Sequence, residues 1–335
     1  MSDTNTQPVS ALGLDVGTSR IVTAQRQDKD IQFGTQLNAF VTIPFSKLTQ
    51  GVLKKEHIPH FVQDAEITVY GDESERFANL FHKETRRPML RGILNPEESA
   101  SLHLVRQIVM LLTSEEQGKG RRLCFSVPAP PLGSGDEFNE HESDLTGMLS
   151  NLGYDAHSIS EGLAVVYGEL ENNNYTGIGV SCGGGLCNVC LAYLSVPVFS
   201  FSIPKAGDFV DTTASQTRGE PATRIRTIKE ESFHFNGHFT NKIHQALSNA
   251  YEDMIQALVA ALKDQFASMQ NMPKLNRPIP LVLSGGTAMP PGFRDRFEKT
   301  LREVDLPVAI SEVRLASNPM VSTARGALVA ALSEI

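Results

Sequence analysis

The sequence predicts an α/β protein of two lobes closing on a cleft, and three observations carry that expectation. The stretch Gly13-Leu14-Asp15-Val16-Gly17-Thr18-Ser19-Arg20-Ile21 is repeated in outline by Gly179-Val180-Ser181-Cys182-Gly183-Gly184-Gly185-Leu186-Cys187-Asn188-Val189. In both, apolar residues enter and leave a glycine turn, which reads as a β-hairpin whose tip needs positive φ and close backbone approach. Between and after them strand and helix patterns alternate, and 335 residues suffice for two sizeable cores. If each half folds the same way, the tips face each other and their N–H groups converge on an anion, a phosphate chain being the fitting one.

The first strands read as 11–16, 20–25, 31–33 and 39–44, successive members of one sheet. Asp15, just before the first tip, is either a turn former or a carboxylate that holds magnesium through water; the hydroxyls of Thr18 and Ser19, suited to phosphate oxygens, favour the second. A strand at Glu66–Tyr70 is followed by Gly71-Asp72 and a short helix near 73–81. The basic segment 82–91, with Lys83, Arg86, Arg87 and Arg91, is a solvated connection or a contact surface for an acidic neighbour. Asn95-Pro96-Glu97-Glu98 predicts a helix start capped by Asn95, with Leu102, Val105, Val109 and Leu112 on its core face. A strand at 123–128 ends in the turn Pro128-Ala129-Pro130-Pro131-Leu132-Gly133. Next come a helix with Leu145, Met148, Leu149 and Leu152 inward and Gly153 as its stop, a strand at 155–158, and a helix opened near Ser160-Glu161-Gly162.

In the second half the pattern predicts a long helix from about 238 to 269, with Ile243, Leu247, Tyr251, Ile255, Leu258, Leu262 and Phe266 on one face. A loop at 271–280, a strand at 279–283 and a helix at 292–304 follow. Gly285-Gly286 lets backbone approach a ligand, or only makes the turn before that helix.

Net charge is -8, which argues against a broad electrostatic affinity for nucleic acid or anionic lipid, with a local basic patch still open. Residues 1–10 are polar and lack the basic and apolar regions of a secretory signal, and no run approaches the ~20 apolar residues of a spanning helix. A cytoplasmic location without direct membrane insertion is the expectation. Cys182, Cys187 and Cys190 have the C-x4-C-x2-C spacing of some iron–sulfur sites, but they flank a glycine turn and the one further cysteine, Cys124, belongs to another strand. They read instead as small buried thiols in a reducing compartment.

Taken together, the stretch 13–20, then Ser160-Glu161-Gly162-Leu163-Ala164-Val165-Val166-Tyr167-Gly168, then the glycine turn at 183–185 resemble the actin-like ATPase superfamily of actin, heat-shock chaperone ATPases and sugar kinases. The resemblance continues in Lys205-Ala206-Gly207-Asp208-Phe209-Val210-Asp211, similar to the helix start after the second phosphate hairpin. Leu281-Val282-Leu283-Ser284-Gly285-Gly286-Thr287 resembles the adenosine motif, and Ser317-Asn318-Pro319 the opening of the last helix. The run Val69-Tyr70-Gly71-Asp72-Glu73 and the compact length are most similar to the bacterial actins of the MreB and MamK type.

The resemblance implies a two-lobed, duplicated ribonuclease H-like fold with a nucleotide cleft: lobe I over 1–160, lobe II over 161–316, and a C-terminal helix within 317–335 returning to lobe I. It implies ATP or ADP with Mg2+, the metal near Asp15, and a water aligned by Glu161, whose other reading is a helix N-terminal carboxylate. Gly17, Thr18, Ser19, Arg20, Gly183, Gly184, Gly185 and Leu186 would meet the phosphates, with Gly207 and Asp208 beside them. Gly285, Gly286 and Thr287 would lie near the nucleoside, as would Glu220 unless it merely favours a helix dipole.

One departure matters. The family usually carries Asp-x-Gly-Gly-Gly-Thr-x-Asp at the second hairpin, whereas this chain has Ser181, Leu186 and Asn188. Losing carboxylates beside the metal predicts slow hydrolysis, while the Leu186 N–H still serves binding. The expected function is a filament-forming cytoskeletal ATPase. Alternatives are a non-polymerising adaptor or scaffold that docks a protein partner, and a small-molecule kinase of the same superfamily.

Overall fold

The computed structural model describes residues 11–113, 120–131, 137–235, 237, 239, 241–269, 273, 275 and 277–333. Strands β1 (Ala11–Val16), β2 (Arg20–Gln27) and β3 (Asp30–Leu37) run as an antiparallel meander. The next strand, β4 (Phe40–Pro44), leaves that sheet, contrary to the expectation of four successive strands in one sheet. Asn38 turns the chain away: its backbone N–H bonds the Ser19 carbonyl at 3.0 Å and its Nδ2 the Gly17 carbonyl at 2.9 Å. With α1 (Lys47–Lys55), β5 (His60–Gln63), β6 (Glu66–Tyr70) and α2 (Glu73–Leu80), β4 builds a small separate sheet of order β4-β6-β5. Ile43, Leu53, Ile67, Val69 and Phe77 fill its core.

A short hairpin of β7 (Met89–Leu90) and β8 (Ile93–Leu94) precedes α3 (Ser101–Leu112). This helix begins at Ser101 and not at the Asn95 box. The Glu98 carboxylate is drawn off by Arg86 at 3.3 Å, and the Ser101 hydroxyl bonds back to the carbonyls of Asn95 and Glu98. Leu104, Val105, Ile108 and Val109 form its buried face, with Leu102 and Leu112 flanking. β9 (Arg122–Val127) then lies parallel to β1, and after α4 (Glu137–Asn151) β10 (Asp155–Ser160) lies parallel to β9. The first sheet has the order β10-β9-β1-β2-β3. The end of the proline turn, at 132–133, lies outside the described residues.

The second half follows through α5 (Glu161–Glu169), β11 (Gly177–Cys182), β12 (Cys187–Tyr193), β13 (Val196–Ile203), α6 (Gly207–Arg218), α7 (Ala222–Glu231) and α8 (Lys242–Ser268). It closes with β14 (Ile279–Ser284), α9 (Phe293–Arg302), β15 (Ile310–Leu315) and α10 (Ser322–Leu332). Its sheet, β13-β12-β11-β14-β15, repeats the first in order and strand direction. The expected start of α8 at 238 lies outside the described residues; Asn241 caps the helix by accepting from the Ile243 N–H at 2.8 Å. Helix α10 starts later than Ser317, because the Ser317 N–H and hydroxyl are both taken by the Glu169 carboxylate at 3.0 Å.

Between the sheets α5 and α10 pack on each other, α5 lying against β11 and β12 of the second sheet and α10 crossing to β1 and β9 of the first. Close approach demands glycine at equivalent places. A Cβ on Gly13 would sit 2.2 Å from the Ala324 carbonyl oxygen, and one on Gly179 would sit 2.3 Å from that of Gly162. Separate apolar cores lie outside each sheet, around Phe125 and Leu149 in the first half and around Phe201, Tyr251 and Phe293 in the second. Among the described residues no helix is long and apolar enough to cross a membrane. The fold class expected from the sequence is therefore the one observed.

Candidate functional site

Both tips close identically. Gly17 N–H bonds the Arg20 carbonyl and Gly183 N–H the Leu186 carbonyl, each at 3.0 Å. Asp15 stands in register with Val22 on β2 and Ser126 on β9, and Ser181 with Asn188 on β12 and Ser284 on β14. The second tip is pinned through its carbonyls: Gly183 accepts from Gly207 N–H at 3.1 Å and Thr287 Oγ1 at 2.7 Å, Gly184 from Asp208 N–H at 2.8 Å. The N–H groups of Thr18, Ser19, Gly184, Gly185 and Leu186 keep no acceptor among the described residues. Contrary to the expectation, none of the tip glycines Gly17, Gly183, Gly184 and Gly185 takes positive φ; glycine serves close approach instead, since a Cβ on Gly184 would lie 2.4 Å from Ser19 Oγ.

The tips border a cavity of about 470 Å³ between the halves. Asp15, Gly17, Thr18, Ser19, Arg20, Glu161, Gly183, Gly184, Gly185, Leu186, Gly207, Asp208, Gly285, Gly286 and Thr287 all line it. Glu220 does not. It sits between α6 and α7 with its carboxylate 2.7 Å from Arg224. The far end is lined instead by Asp211, Arg226, Lys229, Glu230, Phe233 and Tyr251, with Lys229 Nζ 2.8 Å from the buried Asp211 carboxylate. A signal for them exists: Arg226, Lys229 and Glu230 are three and four apart and share one helix face. It is hidden because the neighbouring residues of α7 are charged too.

The side chains of two residues expected at the phosphates are engaged otherwise, while their N–H groups stay free among the described residues. Thr18 Oγ1 accepts from the Gly92 N–H at 3.1 Å, and the Leu186 side chain is buried against Gly92. In the basic segment Arg87 crosses to Asp208 at 2.8 Å, whereas Lys83, Arg86 and Arg91 stay exposed, Arg86 lying over the Phe40 ring and Lys83 bonding the Thr42 carbonyl. The cysteines are buried and unpaired; Cys182 and Cys187 join the second half's core while Cys190 and Cys124 join the central one, which separates the three of the C-x4-C-x2-C run.

Glu161 opens α5, nearly buried, and its Oε2 accepts from Ser181 Oγ and Asn188 Nδ2, both at 2.9 Å. Asp15 accepts from Ser126 Oγ at 2.6 Å. Burial pushes the Asp15 carboxyl up to about 6. Burial, and then the Asp15 charge, push Glu161 up to about 8 against its hydrogen bonds. Two buried carboxyls of raised proton affinity describe a place short of positive charge, which fits a divalent cation. Among the described residues no group of three or more His, Cys, Asp or Glu could hold a metal alone. Phosphate oxygens and water would have to complete its shell, as magnesium prefers.

The duplicated hairpins meeting at one cleft find their match in a family model described as Volactin, over residues 10–331. The chain belongs to the Volactin family. Solved structures show the same actin-like fold at low identity. The MamK double helical filament aligns with a TM-score of 0.72 at 20% identity, over 97% of this chain and 99% of that one. MreB 5 of Spiroplasma citri bound to AMPPNP gives 0.67 at 13% identity, over 96% and 95%. The ethanolamine utilization protein EutJ from Carboxydothermus hydrogenoformans gives 0.58 at 15%, over 97% and 91%. No curated protein sequence matches the chain.

Proposed function

We propose that this volactin-family chain is a cytoplasmic actin-like protein that binds ATP or ADP with Mg2+ in the cleft, assembles with itself into filaments and hydrolyses ATP slowly. The observation that carries this reading is the pair of equivalent tips bordering one cavity, with the N–H groups of Thr18, Ser19, Gly184, Gly185 and Leu186 unspent among the described residues. MreB 5 bound to AMPPNP and the MamK filament share the fold, which makes nucleotide and filament the first things to test.

Arg226, Lys229 and Glu230 would hold the nucleoside, beside the turn at Gly285–Thr287. Asp15 would hold the cation through water, and the cation would neutralise charge developing on the phosphates. Glu161 would orient the attacking water and take up its proton, a role that a raised pKa serves. Ser181 and Asn188 offer no second carboxylate, so turnover is slow. The same substitutions favour a second reading, a non-polymerising adaptor in which Leu186 sets packing against Gly92 above phosphate contact.

One experiment separates these. Purified protein with Mg–ATP, Mg–ADP or a non-hydrolysable analogue is sedimented and phosphate is assayed in the same tube. Nucleotide-dependent pelleting with phosphate release well below that of an ordinary bacterial actin supports the first reading. A protein that binds nucleotide yet stays monomeric at high concentration supports the adaptor, and absence of binding by calorimetry defeats both.

A further inference from the structure

Ser181, Asn188 and Ser202 stand in register across β11, β12 and β13. All three are buried, Asn188 wholly so. Both ends of this polar row are committed. At one end Ser181 Oγ and Asn188 Nδ2 donate to the same Glu161 oxygen, at 2.9 Å each. At the other, Asn188 Oδ1 accepts from the Ala129 N–H at 2.9 Å, and Ser202 Oγ donates to the Ala129 carbonyl at 2.6 Å. Ala129 belongs to the segment after β9, in the first half of the chain, and is itself buried.

The Asn188 amide has one workable orientation. Turned over, it would set its oxygen against the Glu161 carboxylate and its NH2 against the Ala129 N–H. Whatever fixes Ala129 therefore fixes the donor that aims Glu161. A buried amide satisfied on both sides also costs its full desolvation if one partner leaves, so the row responds as a unit.

We propose that Asn188 is a positioning residue that sets Glu161 by reference to the 128–131 segment, so that a shift of that segment relative to the second sheet changes the aim of Glu161 on water. The inference rests on the cleft being a nucleotide site and Glu161 acting there. Coupling of this kind is reciprocal: releasing Glu161 must loosen Ala129, although the two do not touch.

The test uses the full chain. Pro128-Ala129-Pro130-Pro131 carries a single backbone N–H, that of Ala129, and its hydrogen exchange is followed by NMR on 15N-alanine-labelled protein without nucleotide. Glu161→Ala is expected to speed that exchange ~10-fold or more, while Ala250 and Ala257 in α8 keep their rates. Asn188→Leu, close in shape, should do the same. Ser202→Ala leaves the Glu161 bonds in place, and is expected to slow single-turnover Mg–ATP hydrolysis ~5-fold with the nucleotide Kd within twofold. Unchanged Ala129 exchange in Glu161→Ala overturns the coupling. Wild-type turnover in Ser202→Ala, or no turnover in the unmodified protein, overturns the catalytic assignment. Failure of the unmodified protein to bind Mg–ATP sinks the nucleotide reading instead, and the exchange measurement tells that case apart because it needs no ligand.

Discussion

The two glycine hairpins share a turn, a register and a place between parallel strand and helix, yet they carry different chemistry. The first puts Asp15 at the head of the cleft, backed by Ser126. The second puts Ser181 there, and its hydroxyl is spent on Glu161. Where β2 has the apolar Val22, β12 has Asn188, and where the first tip ends in Arg20, the second ends in a buried Leu186. Shape was retained in both copies while charge was kept in one. The difference teaches that the backbone cradle and the carboxylates are separable: an N–H cradle needs only the turn, whereas metal and water need particular side chains.

If the duplication is one of packing, it should break equally in both copies. Gly13→Ala and Gly179→Ala each drive a Cβ to within 2.3 Å of a carbonyl of the central helix packed on that strand. Backbone cannot yield there as a flexible side chain would, so each should cost about 3 kcal/mol or more in urea unfolding. A large loss in one and none in the other would show that the halves are not packed alike.

Much of this symmetry was legible in the sequence, because the tips are local: glycine spacing and flanking apolar runs are enough to place β1, β11 and β12. The departures were not legible, and each has a long-range cause. Nothing within 39–44 says that β4 will pair with β6, since the turn is set by Asn38 reaching back to Gly17. The Asn95 box has every local mark of a helix start, yet an arginine nine residues earlier in another segment, Arg86, claims its Glu98. Glu220 had a motif to recommend it, whereas Arg226, Lys229 and Glu230 had only helix periodicity, and which face of α7 meets the cleft depends on how α6 and α8 pack. The role of Asn188 needed three strands in register before it could be seen.

The halves should also differ in their response to acid. His141 of α4 is buried in the first half, its Nδ1 accepting from the Leu94 N–H at 3.2 Å, and burial pushes its pKa down to about 4. Unfolding restores an ordinary value near 6.5, so the unfolded chain binds the extra proton and stability falls as pH drops from 6.5 toward 4. That window is worth about 3 kcal/mol from this group. Hydrogen exchange should therefore show β8 and α4 opening before β11 and α8 under mild acid, and His141→Leu should flatten that part of the pH dependence. Equal acid lability in the two halves would remove the distinction.

Restoring a hydroxyl to the second tip sharpens the comparison of chemistry. Leu186→Thr gives up burial against Gly92 and should cost about 2 kcal/mol of stability. If the cleft takes nucleotide as proposed, the new hydroxyl would meet its phosphates, and Mg–ATP affinity should rise severalfold in calorimetry, in keeping with about 1 kcal/mol for a new hydrogen bond. A variant that loses stability without any gain in affinity would mean that the tip side chain does not reach the ligand.

The smallest effect tests how the copies are held to each other. Arg87 and Asp208 make an ion pair between the β7 segment and the start of α6, and both border the cleft. Their side chains are 18% and 32% exposed, so solvent screens the pair and its worth is about 1 kcal/mol or less. The measure is a double-mutant cycle on Arg87→Ala and Asp208→Ala, read by urea unfolding with and without nucleotide. A tie that merely staples the surface gives the same small coupling in both states. A tie that belongs to the cleft couples more strongly when nucleotide has excluded water from it, and its loss then speeds nucleotide release severalfold at unchanged stability of the empty protein. Coupling that disappears on binding would instead mean the ligand phosphates have taken Arg87 for themselves, so the sign of the change decides what this bridge between the halves is for.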